Sequence, residues 1–255
     1  MLPAPVDVDD LPPDLAILVV DIVGYSKVPE TAMPGMRAAL DNAVAETFTH
    51  IGLAALWADE RRGSDTGDGW IRIVPAAKVV RLVDPGIALL EDALRRHDRA
   101  RRAHDPVLRT RLSVHLGPLS PGHRGDAIND ACRLVDSEEV RVAAGVAAEH
   151  ESFVAAILSD EVYRRAVAAA RTYTLAERDF LEVSAVVPKK QFRRTSWVHV
   201  PRLAPVTVKA SLGRGEPPVE PAPSPAPGPQ LTFNGSVGTA VGTVATLNMG
   251  GVNLA

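Results

Sequence analysis

The clearest pattern along the chain is an apolar run, Leu15-Ala16-Ile17-Leu18-Val19-Val20, that ends on the acidic Asp21. A short apolar run of this length reads as a buried strand. Similar runs predict strands over 69–75, 109–116, 152–158 and 193–200. Between them, helical spacing of apolar residues predicts helices over 34–50, 85–104, 126–136, 139–149 and 160–171. In the first of these, Met36, Leu40, Val44 and Phe48 recur every fourth residue, which makes one apolar face to lay on a sheet. Strands and helices alternating from about 15 to 203 are the pattern of an α/β domain.

The flanking segments differ. Residues 1–14 are a Pro- and Asp-rich lead-in, and 204–230 form a Pro-rich linker that is densest from 214. Such a segment cannot pack a core and is expected to act as an extended spacer. Residues 231–255 contain no charge and no proline, and Val, Thr and Asn dominate, punctuated by Gly. Those are the ingredients of a β-prone, cross-β segment. A tail without charge is unlike a permanently solvated one, whereas its glycines favour flexibility.

At 255 residues the chain can bury one sizeable core. Its net charge of −3 gives no bulk electrostatic case for nucleic acid or an anionic membrane. One cysteine, Cys132, excludes a disulfide framework and points to a reducing compartment. No run approaches about 18 apolar residues, and the first residues lack the features of a secretory signal. A cytoplasmic protein is expected.

Chemistry enters with two acidic turns. Asp21-Ile22-Val23-Gly24-Tyr25-Ser26 follows the first strand, and Thr66-Gly67-Asp68-Gly69 precedes Trp70-Ile71-Arg72-Ile73-Val74. Each aspartate alone suits a cap or turn, and Asp-Gly is a hairpin signal. Together, two carboxylates delivered from strand ends into one cleft suit a pair of divalent cations. Downstream lie Arg111-Leu112-Ser113-Val114-His115-Leu116-Gly117-Pro118 and Gly125-Asp126-Ala127-Ile128-Asn129-Asp130-Ala131-Cys132-Arg133. Asn129 and Arg133 are four apart, hence on one helix face, where an amide and a guanidinium can hold a sugar and a phosphate. Asp126 reads as a cap for that helix. His115 reads as a core histidine and Cys132 as a small buried residue. His97, His104, His123 and His150 lack zinc-like spacing.

These four segments, in this order, resemble the class III nucleotidyl cyclases: Asp-Ile-x-Gly-aromatic-Ser/Thr, a hairpin Gly-Asp, Arg-x-x-x-His-x-Gly, and Gly-x-x-x-Asn-x-Ala-x-Arg. The resemblance implies a ferredoxin-like βαββαβ core with flanking helices, working as a head-to-tail homodimer with composite sites. It implies conversion of a nucleoside triphosphate to a 3′,5′-cyclic monophosphate and pyrophosphate. By position, Asp21 and Asp68 would bind two Mg²⁺ or Mn²⁺. The backbone of Ile22, Val23, Gly24, Tyr25 and Ser26 would cradle the β- and γ-phosphates. Asn129 would orient the ribose and Arg133 would stabilise charge on the α-phosphate, both acting on the metal site of the other subunit. Lys190, with Lys189 as its rival, would match the family's phosphate-binding lysine.

Two positions depart from the family. Where adenylate cyclases typically read the base with Lys and Asp, this chain has Ser64 and Gly122. That is compatible with a pyrimidine cyclase acting on UTP or CTP, as in the bacterial Pycsar antiphage systems. It is equally compatible with a non-catalytic, nucleotide-binding adaptor built on a cyclase-like dimerisation domain. A phosphohydrolase using the same cations is a third reading, weakened because no water-activating His or Glu accompanies the carboxylates. The tail resembles bacterial amyloid signalling motifs related to the RHIM type, which implies templated polymerisation with a motif-bearing partner protein.

Overall fold

The apolar run forms β1 (Asp14–Ile22), and the rest of the sheet assembles around it. The computed structural model describes residues 12–120, 122 and 125–213. After β1 come α1 (Met33–His50), α2 (Ala54–Ala58), a hairpin of β2 (Gly63–Asp65) and β3 (Gly69–Pro75), α3 (Val79–Val83), α4 (Gly86–Ala100) and β4 (Thr110–Pro118). Then follow α5 (Asp126–Asp136), α6 (Glu138–Glu149), β5 (Val154–Ser159), α7 (Asp160–Tyr163), β6 (Leu181–Val187), β7 (Phe192–His199) and α8 (Pro205–Leu212). The strand order is β2-β3-β1-β4-β5-β7-β6. The first four strands pair antiparallel throughout. With α1 and α4 between them they make the expected ferredoxin-like βαββαβ core. β5 then joins β4 in parallel, and β7 and β6 extend the sheet antiparallel.

Strand parity decides which side chains meet which helices. Ala16, Leu18, Val20 and Ile22 of β1 join Leu40, Val44 and Phe48 of α1 and Leu90 and Leu94 of α4 in the largest core cluster. Ile17 and Val19 face the other way, against Ala127, Ala131 and Val135 of α5. Asp21 follows the same parity and belongs to the α5 side of the sheet. In β4, Leu112, Val114 and Leu116 join the α1–α4 layer, which leaves Arg111, Ser113 and His115 on the α5 side. There the Ser113 hydroxyl donates to the Ala131 carbonyl at 2.8 Å. At Gly117 an added Cβ would stand 2.8 Å from that of Ala127, so helix and strand approach this closely only over glycine.

Two buried carboxylates tie distant segments to this frame. Glu91 of α4, 1% exposed, accepts the N–H groups of Phe153 and Val154 at 2.8 and 3.0 Å, the Ser152 hydroxyl, and the Arg95 guanidinium. Asp84 accepts the N–H groups of Tyr173, Thr174 and Leu175, and these bonds hold its carboxyl below its ordinary value although burial opposes them.

Several elements differ from their sequence expectations. The helix expected over 85–104 is α4, which ends at Ala100, and a short helix not expected from the sequence, α3, precedes it across Asp84–Pro85, where proline lacks the N–H that would join the two. The helix expected over 160–171 is regular only through Tyr163 and widens into a π-turn over Arg164–Ala168. The short β2 and the edge strand β6 carry no long apolar run and were not anticipated. Residues 205–212, read from sequence as the start of the linker, form α8, which packs on α6 and β6 with Val208 buried. The Pro-dense segment 214–230, the tail 231–255 and residues 1–11 of the lead-in lie outside the described residues. Among the described residues, no helix is long and apolar enough to cross a membrane.

Candidate active site

At the end of β1, Asp21 stands opposite Gly69 of β3 and Arg111 of β4. Its carboxylate accepts a hydrogen bond from the Arg111 guanidinium, and the two side chains are 14% and 13% exposed. The adjacent Ile22 N–H donates to the Asp68 carbonyl at 2.9 Å, which draws the β2–β3 turn onto the end of β1. Burial lifts the Asp21 carboxyl to about 6. The Arg111 charge opposes that shift and the neighbouring Asp68 carboxylate adds to it. The bond from Ile22 to Asp68 thus brings the two aspartates that the sequence offered as cation ligands to the same end of β1.

The hairpin that presents Asp68 is held from outside. Asp65 accepts the Gly67 N–H at 2.7 Å, and the Thr66 hydroxyl donates to Asp68 at 3.3 Å. Gly69 passes so near β1 that a Cβ there would lie 1.9 Å from the Val20 carbonyl oxygen. Arg37 of α1 clamps the turn: one terminal nitrogen donates to the carbonyls of Gly67 and Gly69 at 3.1 and 2.9 Å and lies 3.0 Å from Asp65. Its Nε donates to Asp41 at 3.0 Å, and its guanidinium lies over the Trp70 ring. Trp70 in turn donates to the same Asp41 oxygen at 2.6 Å. Arg37 escapes a sequence reading, since Arg37 and Asp41 one helical turn apart look like any solvated pair.

Of the backbone expected to cradle phosphates, the Ile22 and Val23 N–H groups are committed, to the carbonyls of Asp68 and Arg109 at 2.9 Å each. What remains of the cradle is the turn from Gly24 through Tyr25 to Ser26. Asn129 lies exposed on α5. Arg133, one turn on, donates to Asp130 at 3.1 Å and approaches the Phe192 ring. Lys190, in the turn between β6 and β7, reaches Asp136 at 3.3 Å. Lys189 beside it is exposed. Among the described residues, no hydrogen bond or ion pair joins Asn129, Arg133 or Lys190 to Asp21 or Asp68 within one chain. Ser64 is exposed on β2 opposite Ile71, and Gly122 is an exposed turn residue with φ of 83°.

A cavity of about 560 Å³ opens beside α5, lined by His115, Asp126, Asp130, Asp160, Phe192 and Arg194 among others. Neither Ser64 nor Gly122 lines it. The His115 imidazole is held below its ordinary value, chiefly by burial, and burial likewise raises the Cys132 thiol.

Among the described residues, no three His, Cys, Asp or Glu side chains gather as a ready metal cage. The donors present still fit a hard divalent cation, because Mg²⁺ commonly takes one or two carboxylates and completes its shell with water and substrate phosphate. Two mutually repelling carboxylates, with Asp21 reluctant to ionise, are what a cation would relieve.

No protein-family model matches this chain, and no curated protein matches it. Among solved structures, the chain is similar to the guanylyl cyclase Cya2, with a TM-score of 0.51 and 14% identity over 73% of this chain and 91% of that one. The catalytic core of a rhodopsin-guanylyl cyclase with converted specificity, in complex with ATPαS, gives 0.47 and 15% over 75% and 97%. A bacterial light-regulated adenylyl cyclase gives 0.47 and 14% over 80% and 58%. The likeness to Cya2 shows that residues folded here have the architecture of a cyclase domain.

Proposed function

We propose that the protein is a nucleotidyl cyclase that converts a nucleoside triphosphate to a 3′,5′-cyclic monophosphate and pyrophosphate. The observation that carries this reading is the placement of Asp21 and Asp68 together at the end of β1, within a sheet of cyclase architecture. Asp21 and Asp68 would hold two Mg²⁺ or Mn²⁺. Bound there, the cations would ease attack by the ribose 3′-hydroxyl and neutralise the leaving pyrophosphate. The amides of the Gly24–Ser26 turn would receive the β- and γ-phosphates. Among the described residues, no hydrogen bond or ion pair joins Asn129 or Arg133 to Asp21 or Asp68, so in this reading they serve the site of a second copy in a homodimer. Asn129 would fix the ribose and Arg133 the charge that builds on the α-phosphate. Lys190 would add a further positive charge on the phosphates.

The base is a pyrimidine in this reading. Ser64 and Gly122 offer neither the lysine nor the aspartate that adenine contacts require, which favours UTP or CTP. The uncharged tail supports a role in bacterial antiviral defence or signalling, recruiting a partner through a shared amyloid motif and raising the local concentration of half-sites. A second reading has its own observation: Arg111 already pairs with Asp21, as it would in a nucleotide-binding adaptor that turns nothing over.

Incubation of the protein with Mn²⁺ and each of the four common nucleoside triphosphates tests both. Cyclic product from UTP or CTP that disappears in Asp68→Ala is expected. Silence with all four, with nucleotide still bound, would establish the adaptor instead.

A further inference from the structure

A second concave site lies at the far end of α4, where the helix, the approach to β4 and the start of β5 enclose about 350 Å³. Its polar lining is Arg95, Asp98, Arg99, Arg101, Arg109 and Glu151, with Val107 and Phe153 as apolar floor. Four guanidiniums against two carboxylates leave the cavity formally positive, in a chain whose net charge is −3. The Arg95 and Arg109 guanidiniums converge on one ring, 5.2 and 5.7 Å from the centre of Phe153.

Arg95 is partly neutralised by Glu91, and Arg101 by Asp98. Arg109 is not. Among the described residues its guanidinium has no hydrogen bond and no ion pair, and its Nε is buried without a partner, as is that of Arg95. Arg99 is likewise unpaired, though exposed. Gathering like charges around a ring and burying their donors unsatisfied costs free energy that an anion would return. Planar guanidinium forks match phosphoryl oxygens in particular.

We propose that this cavity is a binding site for a small, multiply charged phosphoryl anion, of the size and charge of phosphate or pyrophosphate. It does not rest on the cyclase reading. Its main-chain link is direct, since the Arg109 carbonyl accepts the Val23 N–H at 2.9 Å, one bond from the turn that follows β1.

Calorimetric titration of the full chain with phosphate and with pyrophosphate tests the proposal. EDTA removes divalent cations, and salt at about 0.15 M screens diffuse attraction. One saturable site is expected for at least one of the two anions. Its affinity should fall about tenfold or more in Arg109→Gln, as loss of a charge-assisted contact implies, and stay unchanged in Arg133→Gln. If Arg109→Gln does not fold by circular dichroism, the exposed Arg99→Gln takes its place, and a measurable loss of affinity is again required. Absence of saturable binding by both anions, or an equal loss in Arg133→Gln, would overturn the proposal.

Discussion

The Arg37 guanidinium holds the Gly69 carbonyl oxygen at 2.9 Å, and through it a helix on one layer of the domain sets the position of a turn at the sheet end. The same side chain also grips the Gly67 carbonyl and Asp65, so its contacts fall on both sides of Asp68. Arg37 touches neither proposed cation ligand, so its role is to position Asp68.

Replacement of Arg37 by alanine should therefore weaken Mn²⁺ binding by about 10–100-fold, the range for residues that orient a metal ligand. Arg37→Lys, which keeps the charge but loses the fork that spans two carbonyls, should recover only part of it. Manganese titration followed by electron paramagnetic resonance reads this without requiring turnover. Unaltered affinity in Arg37→Ala would remove the positioning role.

Asp21 predicts a pH dependence of definite sign. Its folded-state carboxyl titrates near 6, above the ordinary 3.8, because burial disfavours the charge. The folded state thus binds this proton more tightly than the unfolded chain does. The resulting stabilisation is complete below about 4 and is lost as pH rises through 6. Asp21→Asn, which cannot ionise, should gain in Tm relative to wild type as pH is raised from 4 to 7, with Mn²⁺ absent. Parallel Tm profiles for the two proteins would show that Asp21 titrates normally.

Glu91 is the buried carboxylate with the most to lose. Alanine there strands the N–H groups of Phe153 and Val154 and leaves the Arg95 charge without its partner. Removing one member of a buried ion pair costs about 3–5 kcal/mol. Urea denaturation should show a loss of that size, and a loss below about 1 kcal/mol would mean that water replaces the carboxylate.

The composite site makes a mixing prediction. Asp68→Ala and Asn129→Ala should each be inactive alone, because every site in either homodimer lacks one essential group. Mixed under exchange, half the dimers would be heterodimers with one intact site, restoring about a quarter of wild-type activity by two-fold symmetry. No recovery after subunit exchange, shown by size-exclusion of tagged chains, would argue that each copy works alone.

Much of this fold can be read from sequence, for a physical reason. Strands buried on both faces, such as β1 and β5, are continuous apolar runs, and α5 falls at 126–136 because its small residues recur at helical spacing. β6 was readable too: Leu181, Val183 and Ala185 alternate with Glu182 and Ser184, but an edge strand half open to solvent lacks a strong run. β2 is three residues whose only signal is the turn after it. At the site, Asp21 and Asp68 stood out as acids at strand ends. Arg37 and the Asp21–Arg111 pair did not, since each depends on residues 30 or more positions apart meeting across a register that no local pattern reveals.

The alternation that puts Ile17 and Val19 against α5 also puts Asp21 there, two steps further along the same pleat. An insertion or deletion of one residue within β1 would rotate the carboxylate into the apolar layer formed by α1 and α4 and turn side chains of that layer, such as Leu18, toward α5. Drift of this acid away from its place would therefore unfold the domain before it could merely silence it, so that the chemistry is protected by the same force that shapes the core.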